Sequence, residues 1–299
     1  MLPWSVAWEQ AAFGPDGFYR PQHPGSHFAT DVMDGDAVAR RMARLIEPVT
    51  TGLLVTHATV TVTDAGADYG RLLRQLAELM DPSLAERVTW RAIDIRPRPA
   101  GLPAWLSWIQ GDVRDLATHE PPAPGVVIAH ELLDDVPCDV LEIDDEGRRR
   151  VVLVDPASGA EVLGPPLSDA AACSETGLDA AAIDAWCDLW WPRREPAARI
   201  EVGTSRDALW AALARTVSVG LAVAVDYGHV ASERARGEWD GGTLSGFRGG
   251  RAVSVVADGS CNLTAHVAMD ACAAAVPPSR SRLERSREGW WWLVQEMGR

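Results

Sequence analysis

The chain has 299 residues, 47% of them hydrophobic, which is enough apolar material for one domain with an insertion or for two small domains. Its formal charge of −14 excludes the basic field that tight binding to a nucleic-acid backbone requires, and all 28 basic residues are arginine. The five cysteines (Cys138, Cys173, Cys187, Cys261 and Cys272) make no Cys-x-x-Cys pair, so we expect a reduced, cytoplasmic protein with no structural zinc. No apolar run reaches membrane-spanning length and the N-terminus carries no signal-peptide pattern, so no membrane partner is expected.

Residues 1–50 are expected to form an N-terminal arm. Trp4, Trp8 and Phe13 lead into a turn-rich stretch, Gly14-Pro-Asp-Gly-Phe-Tyr19, then a loop over 21–26, His27-Phe-Ala-Thr30 and Asp31. The spacing from Asp36 to Ile46 predicts an amphipathic helix. Such an arm either packs its aromatics permanently on the core or closes as a lid over a ligand.

The organising stretch is Asp64-Ala-Gly-Ala-Asp-Tyr-Gly70. Leu53-Leu54-Val55 and residues 58–63 before it are apolar and β-branched, as suits a buried parallel strand, and residues 71–80 after it place leucines at helical spacing. A strand, a tight turn with Gly66 and Gly70, and a helix present backbone N–H groups and a carboxylate to a nucleotide-like ligand. Residues 88–93 predict a second strand ending on Asp94, 105–109 a third followed by Asp112, and 124–129 a fourth followed by His130 and Glu131. Asp64, Asp94, Asp112 and Glu131 would then converge at the carboxyl ends of consecutive strands.

From 138 to 199 the alternation of strand and helix breaks down. Residues 139–143 and 150–154 flank a charged turn and predict a hairpin; 180–191 predict a helix bearing Trp186, Trp190 and Trp191. We expect an inserted, substrate-side subdomain here, with a doubly wound α/β core over 51–137 and 200–299. Its tryptophans belong either to a small core or to a binding platform. The core resumes with a helix over 205–217, a strand over 221–226 ending in Asp226-Tyr-Gly228, a helix over 269–276 and a last strand over 290–294.

Nicotinamide dinucleotides fit this pattern poorly, because Asp68 stands where their fingerprint needs a glycine and would repel a diphosphate. The Gly-Lys-Ser/Thr phosphate loop is absent. A ligand with an adenosine end, a cationic centre and no phosphates suits a ring of acids, and S-adenosylmethionine is such a ligand. Asp94 would take the ribose diol, Asp112 the adenine amino group, and Asp64 would help fix the amino-acid end.

Taken together, Gly14-Pro-Asp-Gly-Phe-Tyr19, the Asp64 turn, Glu131-Leu-Leu-Asp134 with Val136-Pro137, Asp226-Tyr-Gly228, Gly242-Thr-Leu244 and Leu263-Thr-Ala-His-Val267 resemble the MidA-like methyltransferases. These are relatives of the mitochondrial complex I assembly arginine methyltransferase. The resemblance spans residues 8 to about 275. It implies a class I S-adenosylmethionine-dependent fold and, for the characterised branch, an arginine side chain on a partner protein as acceptor. Asp68 replaces the middle glycine of the family turn, where it either crowds the methionine moiety or pairs with its amino or sulfonium group. His130 stands where the family usually has asparagine, beside the cofactor, and Asn262 where it has aspartate.

A guanidinium acceptor is best held by carboxylates that grip it bidentately. Glu131 and Asp134, three apart on the first turn of an expected helix, would share a face for that grip; their alternative is helix N-terminal capping. His266 is the general-base candidate, or else a buried hydrogen-bonded histidine, and Tyr227 lines the acceptor channel or packs beneath it. Methylation of a small-molecule nitrogen or oxygen, and a catalytically silent assembly partner, are the competing readings.

Overall fold

The structure is a computed structural model that describes residues 1–20, 36–119, 121–276 and 280–298. Within the expected arm, the loop over 21–26 and the segment His27 to Asp31 lie outside the described residues. The chain divides into two compact units.

The first unit is built on a seven-stranded sheet. Its strands are β2 (Val60–Ala65), β3 (Val88–Asp94), β4 (Leu106–Gln110), β5 (Ala123–His130), β10 (Val217–Asp226), β16 (Arg280–Arg285) and β17 (Trp291–Met297). The order is β16-β17-β10-β5-β2-β3-β4. β4, β3, β2, β5 and β10 run parallel, and β17 and β16 add antiparallel to the far edge. The order reverses between β2 and β5, and that is where an open α/β sheet leaves a crevice beyond its carboxyl ends.

One face of this sheet is covered by α2 (Ala37–Thr56) and α3 (Arg71–Leu79), whose Met42, Ile46, Leu73 and Leu76 pack with Val60, Val62, Trp90, Ala92, Val126 and Ile128. α2 runs further than the sequence pattern suggests. Leu53-Leu54-Val55 is its last turn and not the start of the strand. Thr50, Leu53 and Leu54 are buried on the Ile46 side and Val55 is 81% exposed, a 3.6-residue repeat that a half-buried strand would not give. The helix continues through Pro48, which leaves the Arg44 carbonyl without its ladder donor, and Thr50 Oγ1 donates to the Ile46 carbonyl at 3.0 Å.

The second unit joins residues 1–20, Asp134–Ala208 and Tyr227–Cys272, so it draws in segments beyond 138–199. Its main sheet, β1 (Leu2–Pro3), β6 (Val140–Ile143), β7 (Arg149–Val154), β8 (Glu161–Pro166) and β9 (Arg199–Glu201), is antiparallel throughout. The β6–β7 hairpin falls where the charged turn predicts it. α1 (Trp4–Phe13), which follows β1, and α7 (Ala180–Trp190) belong to this unit. Trp186 and Trp191 are buried with Ile183, Cys187, Ile200 and Val202, so these tryptophans form core. Two smaller sheets, β11 (Gly228–His229) with β15 (Val267–Ala268), and β12 (Ser245–Arg248) with β13 (Arg251–Val253) and β14 (Asn262–Thr264), complete it.

Candidate cofactor site and its neighbouring motifs

The sheet register explains why the polar residues of the first unit gather. Asp64 pairs with Ala92 on β3 and Ile128 on β5, so it shares their face; Asp94 and His130 lie two residues further on those strands and return to the same face. The three therefore continue, past the end of the apolar rows, the face that α2 and α3 cover. β2 stops at Ala65, and the turn to α3 leaves the sheet between the tips of β3 and β5.

That turn is tight. Gly66 and Gly70 have φ of 75° and 66°, and Asp68 between them has φ of 51°, in the left-handed region that aspartate tolerates better than most residues. A Cβ on Gly66 would lie 2.8 Å from Leu132 Cδ1. The N–H groups of Gly66 and Ala67 both donate to the Ile93 carbonyl, at 2.9 and 3.1 Å. The Asp68 N–H donates to Asp94 Oδ2 at 2.8 Å, which ties the turn to the carboxylate on the next strand.

Asp94 carries its own counterion. Arg96 Nε–H donates to Oδ1 and Arg96 Nη2–H to Oδ2, both at 2.9 Å, and Arg96 Nη1–H reaches Asp68 Oδ1 at 2.6 Å. Burial opposes the charge on Arg96, but hydrogen bonds and charge from Asp94 and Asp68 outweigh it and push its pKa above the ordinary arginine value. Asp112, beyond β4, repeats the arrangement: Oδ1 accepts the Arg114 N–H at 2.8 Å and Oδ2 takes Arg114 Nη2–H at 2.6 Å, at the start of α5 (Val113–His119). Two Asp-x-Arg clips thus stand on adjacent strand ends, where the sequence pattern offers bare acids.

Asp64 is 3% exposed, and its pKa is pushed up to about 8, by burial first and then by the charges of Asp94 and Asp68. Burial lowers His130 to about 4, so its ring is neutral near pH 7. Its Nε2 is buried with no hydrogen-bond partner, Glu131 Oε1 lies 3.8 Å away, and the ring stacks on Trp290 at 5.8 Å between centroids. Three acids, Asp64, Asp68 and Asp94, at one sheet end, with the Arg96 guanidinium already committed to two of them, fit a cationic, adenosine-bearing ligand better than a phosphate ester. In S-adenosylmethionine terms, Asp94 and the Gly66–Gly70 turn would hold the ribose and the amino-acid end, and Asp64 would ionise against the ligand's positive charge. Among the described residues, no group of three or more His, Cys, Asp and Glu is placed to hold a metal ion.

Glu131 and Asp134 do not share a helix turn. The chain after β5 runs through bends and turns, because Glu131 has φ of 48° and its N–H is committed to the Val225 carbonyl at 2.9 Å. Glu131 belongs to the first unit, and its side chain is 8% exposed. Asp226, buried at the end of β10, accepts the Leu133 N–H at 2.8 Å and fixes the same segment. Asp134 lies in the second unit, accepts the Thr264 hydroxyl at 2.5 Å, and is buried.

In the second unit several motifs meet. Tyr19 donates its hydroxyl to Asn262 Oδ1, and Asn262 Nδ2 donates to Asp135 Oδ1 at 3.2 Å. Burial, then the charge of Asp134, hold the Asp135 pKa well above the ordinary value. A third acid at position 262 would add to that repulsion, and asparagine avoids it. Arg206, on α8 (Thr204–Arg215), is 1% exposed and donates to the carbonyls of Val136, Asp134 and His266 at 3.1, 3.2 and 2.9 Å. The sequence reading missed it, although an arginine near the start of a Leu-, Trp- and Ala-rich helix is the available signal. His266 stacks on Tyr227 at 6.1 Å and meets Trp239 edge-on at 5.0 Å. Tyr227 is 39% exposed.

Residues 57–279 match the family described as "Putative S-adenosyl-L-methionine-dependent methyltransferase". Among solved structures, a COG1565 superfamily member from Burkholderia thailandensis bound to S-adenosyl-homocysteine is 20% identical, with a TM-score of 0.72 over 99% of this chain and 88% of that one. A native structure of a COG1565 superfamily protein from the same organism is 19% identical, also at 0.72, over 99% and 87%. Curated protein sequences gave no significant match. These likenesses give the sheet its place among class I methyltransferase folds, with S-adenosylmethionine as cofactor. The chain belongs to the family of S-adenosylmethionine-dependent methyltransferases that its residues 57–279 match, the MidA-like methyltransferases.

Proposed function

We propose that this methyltransferase modifies a nitrogen of an arginine side chain on a partner protein. The observation that carries the reading is Glu131. A non-glycine residue held at φ 48° just past β5, with its N–H tied to Val225 and its carboxylate largely shielded from water, is conformationally costly. That cost is understandable if the carboxylate must face a cation in one orientation, as a guanidinium requires.

Bound S-adenosylmethionine supplies a methyl group on a cationic sulfur open to in-line displacement. The chain's own contribution is then placement, since such displacements gain most from alignment. Glu131 grips the acceptor guanidinium and keeps electron density on one nitrogen. Asp134 holds Thr264 and the loop in place, so the grip falls on Glu131. His266 and Tyr227 stack on each other within the second unit. The buried, reduced cysteines suit a reducing, cytoplasmic setting.

Small-molecule methylation is the weaker alternative, because Trp186 and Trp191 are core and Trp186 Nε1–H is committed to Asp207 Oδ2 at 2.7 Å. Incubation with methyl-labelled S-adenosylmethionine and a cell extract, followed by acid hydrolysis of the protein fraction, tests the proposal. Label should appear as methylarginine and be lost with Glu131→Gln. Label confined to small molecules would overturn it.

A further inference from the structure

Asp94 has no acceptor capacity to spare. A carboxylate offers about four lone-pair sites. Oδ1 accepts Arg96 N–H and Arg96 Nε–H, each at 2.9 Å, and Oδ2 accepts Asp68 N–H at 2.8 Å and Arg96 Nη2–H at 2.9 Å. Two of these bonds come from backbone and hold the carboxylate in place. The other two come from one guanidinium and are removable.

A vicinal ribose diol brings two O–H donors, the same number the guanidinium withdraws. The third arm of that guanidinium, Nη1–H, already rests on Asp68 Oδ1 at 2.6 Å. Exposure rises outward along the chain of groups: side chains are 5% exposed at Asp94, 16% at Arg96 and 34% at Asp68. A guanidinium leaving Asp94 therefore moves toward water while keeping one carboxylate, so neither charge is left buried and alone.

We propose that Arg96 and Asp68 form an exchangeable latch on the ribose subsite, in which Arg96 covers Asp94 until the cofactor's diol displaces it and Asp68 retains the displaced guanidinium. The inference rests on the S-adenosylmethionine reading of the site. It gives position 68 a task that glycine could not perform. A latch that must open reduces apparent affinity by the fraction of molecules in the open state.

The test is calorimetric titration of S-adenosylhomocysteine into the wild type, Arg96→Ala, Asp68→Asn and the double variant, with melting temperatures recorded. Arg96→Ala should bind roughly three- to tenfold more tightly while melting lower, because the covering group is gone and an ion pair is lost. Asp68→Asn should weaken binding several-fold in the wild-type background and have little effect in the Arg96→Ala background. A purely structural Arg96 would lower affinity and melting temperature together, and that result overturns the latch. Equal effects of Asp68→Asn in both backgrounds overturn it too. Should Arg96→Ala fail to fold, Arg96→Met keeps the stem without the charge and is read the same way. Absence of binding by both folded wild type and the folded Arg96 variant would instead overturn the cofactor reading beneath it.

Discussion

Asp64 shows most clearly how position sets chemistry. Its folded pKa of about 8 stands above the ordinary 3.8, so the folded chain keeps a proton that the unfolded chain releases above about pH 4. Its contribution to stability is complete at low pH and is lost as pH rises toward about 8. Asp64→Asn removes that dependence. The stability gap between variant and wild type should widen in the variant's favour by up to about 1.4 kcal/mol per pH unit between pH 5 and 8. Urea unfolding across that range reads it, and a gap independent of pH would contradict the assignment. The acids at the strand tips were legible because each follows an apolar run. Arg96 and Arg114 were not, because an arginine two residues past an aspartate looks the same on a solvated surface as it does folded back onto that carboxylate.

At the scale of elements, most strands and helices follow the hydrophobic period, and the departures have physical causes. Residues 53–55 look like strand in isolation, but the buried Ile46, Thr50, Leu53 and Leu54 belong to one helical stripe. β16, Arg-Ser-Arg-Leu-Glu-Arg, has no strand-like alternation at all. Among the described residues it is an edge strand paired only with β17, where charge guards against further pairing. Glu131 and Asp134 fell on a bend because backbone commitments after β5, invisible in sequence, displace the helix. Two element-level tests follow. Gly125 on β5 leaves no room for a side chain, since a Cβ there would lie 2.0 Å from the Thr61 carbonyl oxygen. Gly125→Ala should cost about 3 kcal/mol or more, or abolish soluble expression, as measured by denaturant midpoint. Arg206→Leu would take their arginine donor from the Val136 and His266 carbonyls, while the Asp134 carbonyl keeps the Ala265 N–H, and should cost roughly 2–4 kcal/mol, with partial recovery in Arg206→Lys.

For the whole molecule, the sequence order of strands and helices was enough to place a doubly wound sheet. It could not show that residues 1–20 and Tyr227–Cys272 fold with Asp134–Ala208, because that grouping rests on pairings far apart in the chain such as Tyr19 with Asn262. No helix among the described residues is long and apolar enough to cross a membrane. A ligand bound only by the folded state stabilises it, so S-adenosylhomocysteine at a hundredfold excess over its Kd should add about 3 kcal/mol and raise the melting temperature by several degrees. The most direct measurement is a calorimetric titration of S-adenosylhomocysteine into wild type and Asp94→Asn, each checked for folding by circular dichroism. We expect one equivalent bound by the wild type and affinity at least about tenfold lower in the variant, from the loss of charged hydrogen bonds to the ribose. Equal affinity in the two proteins would contradict the assignment of Asp94 and, with it, the site built around the strand tips.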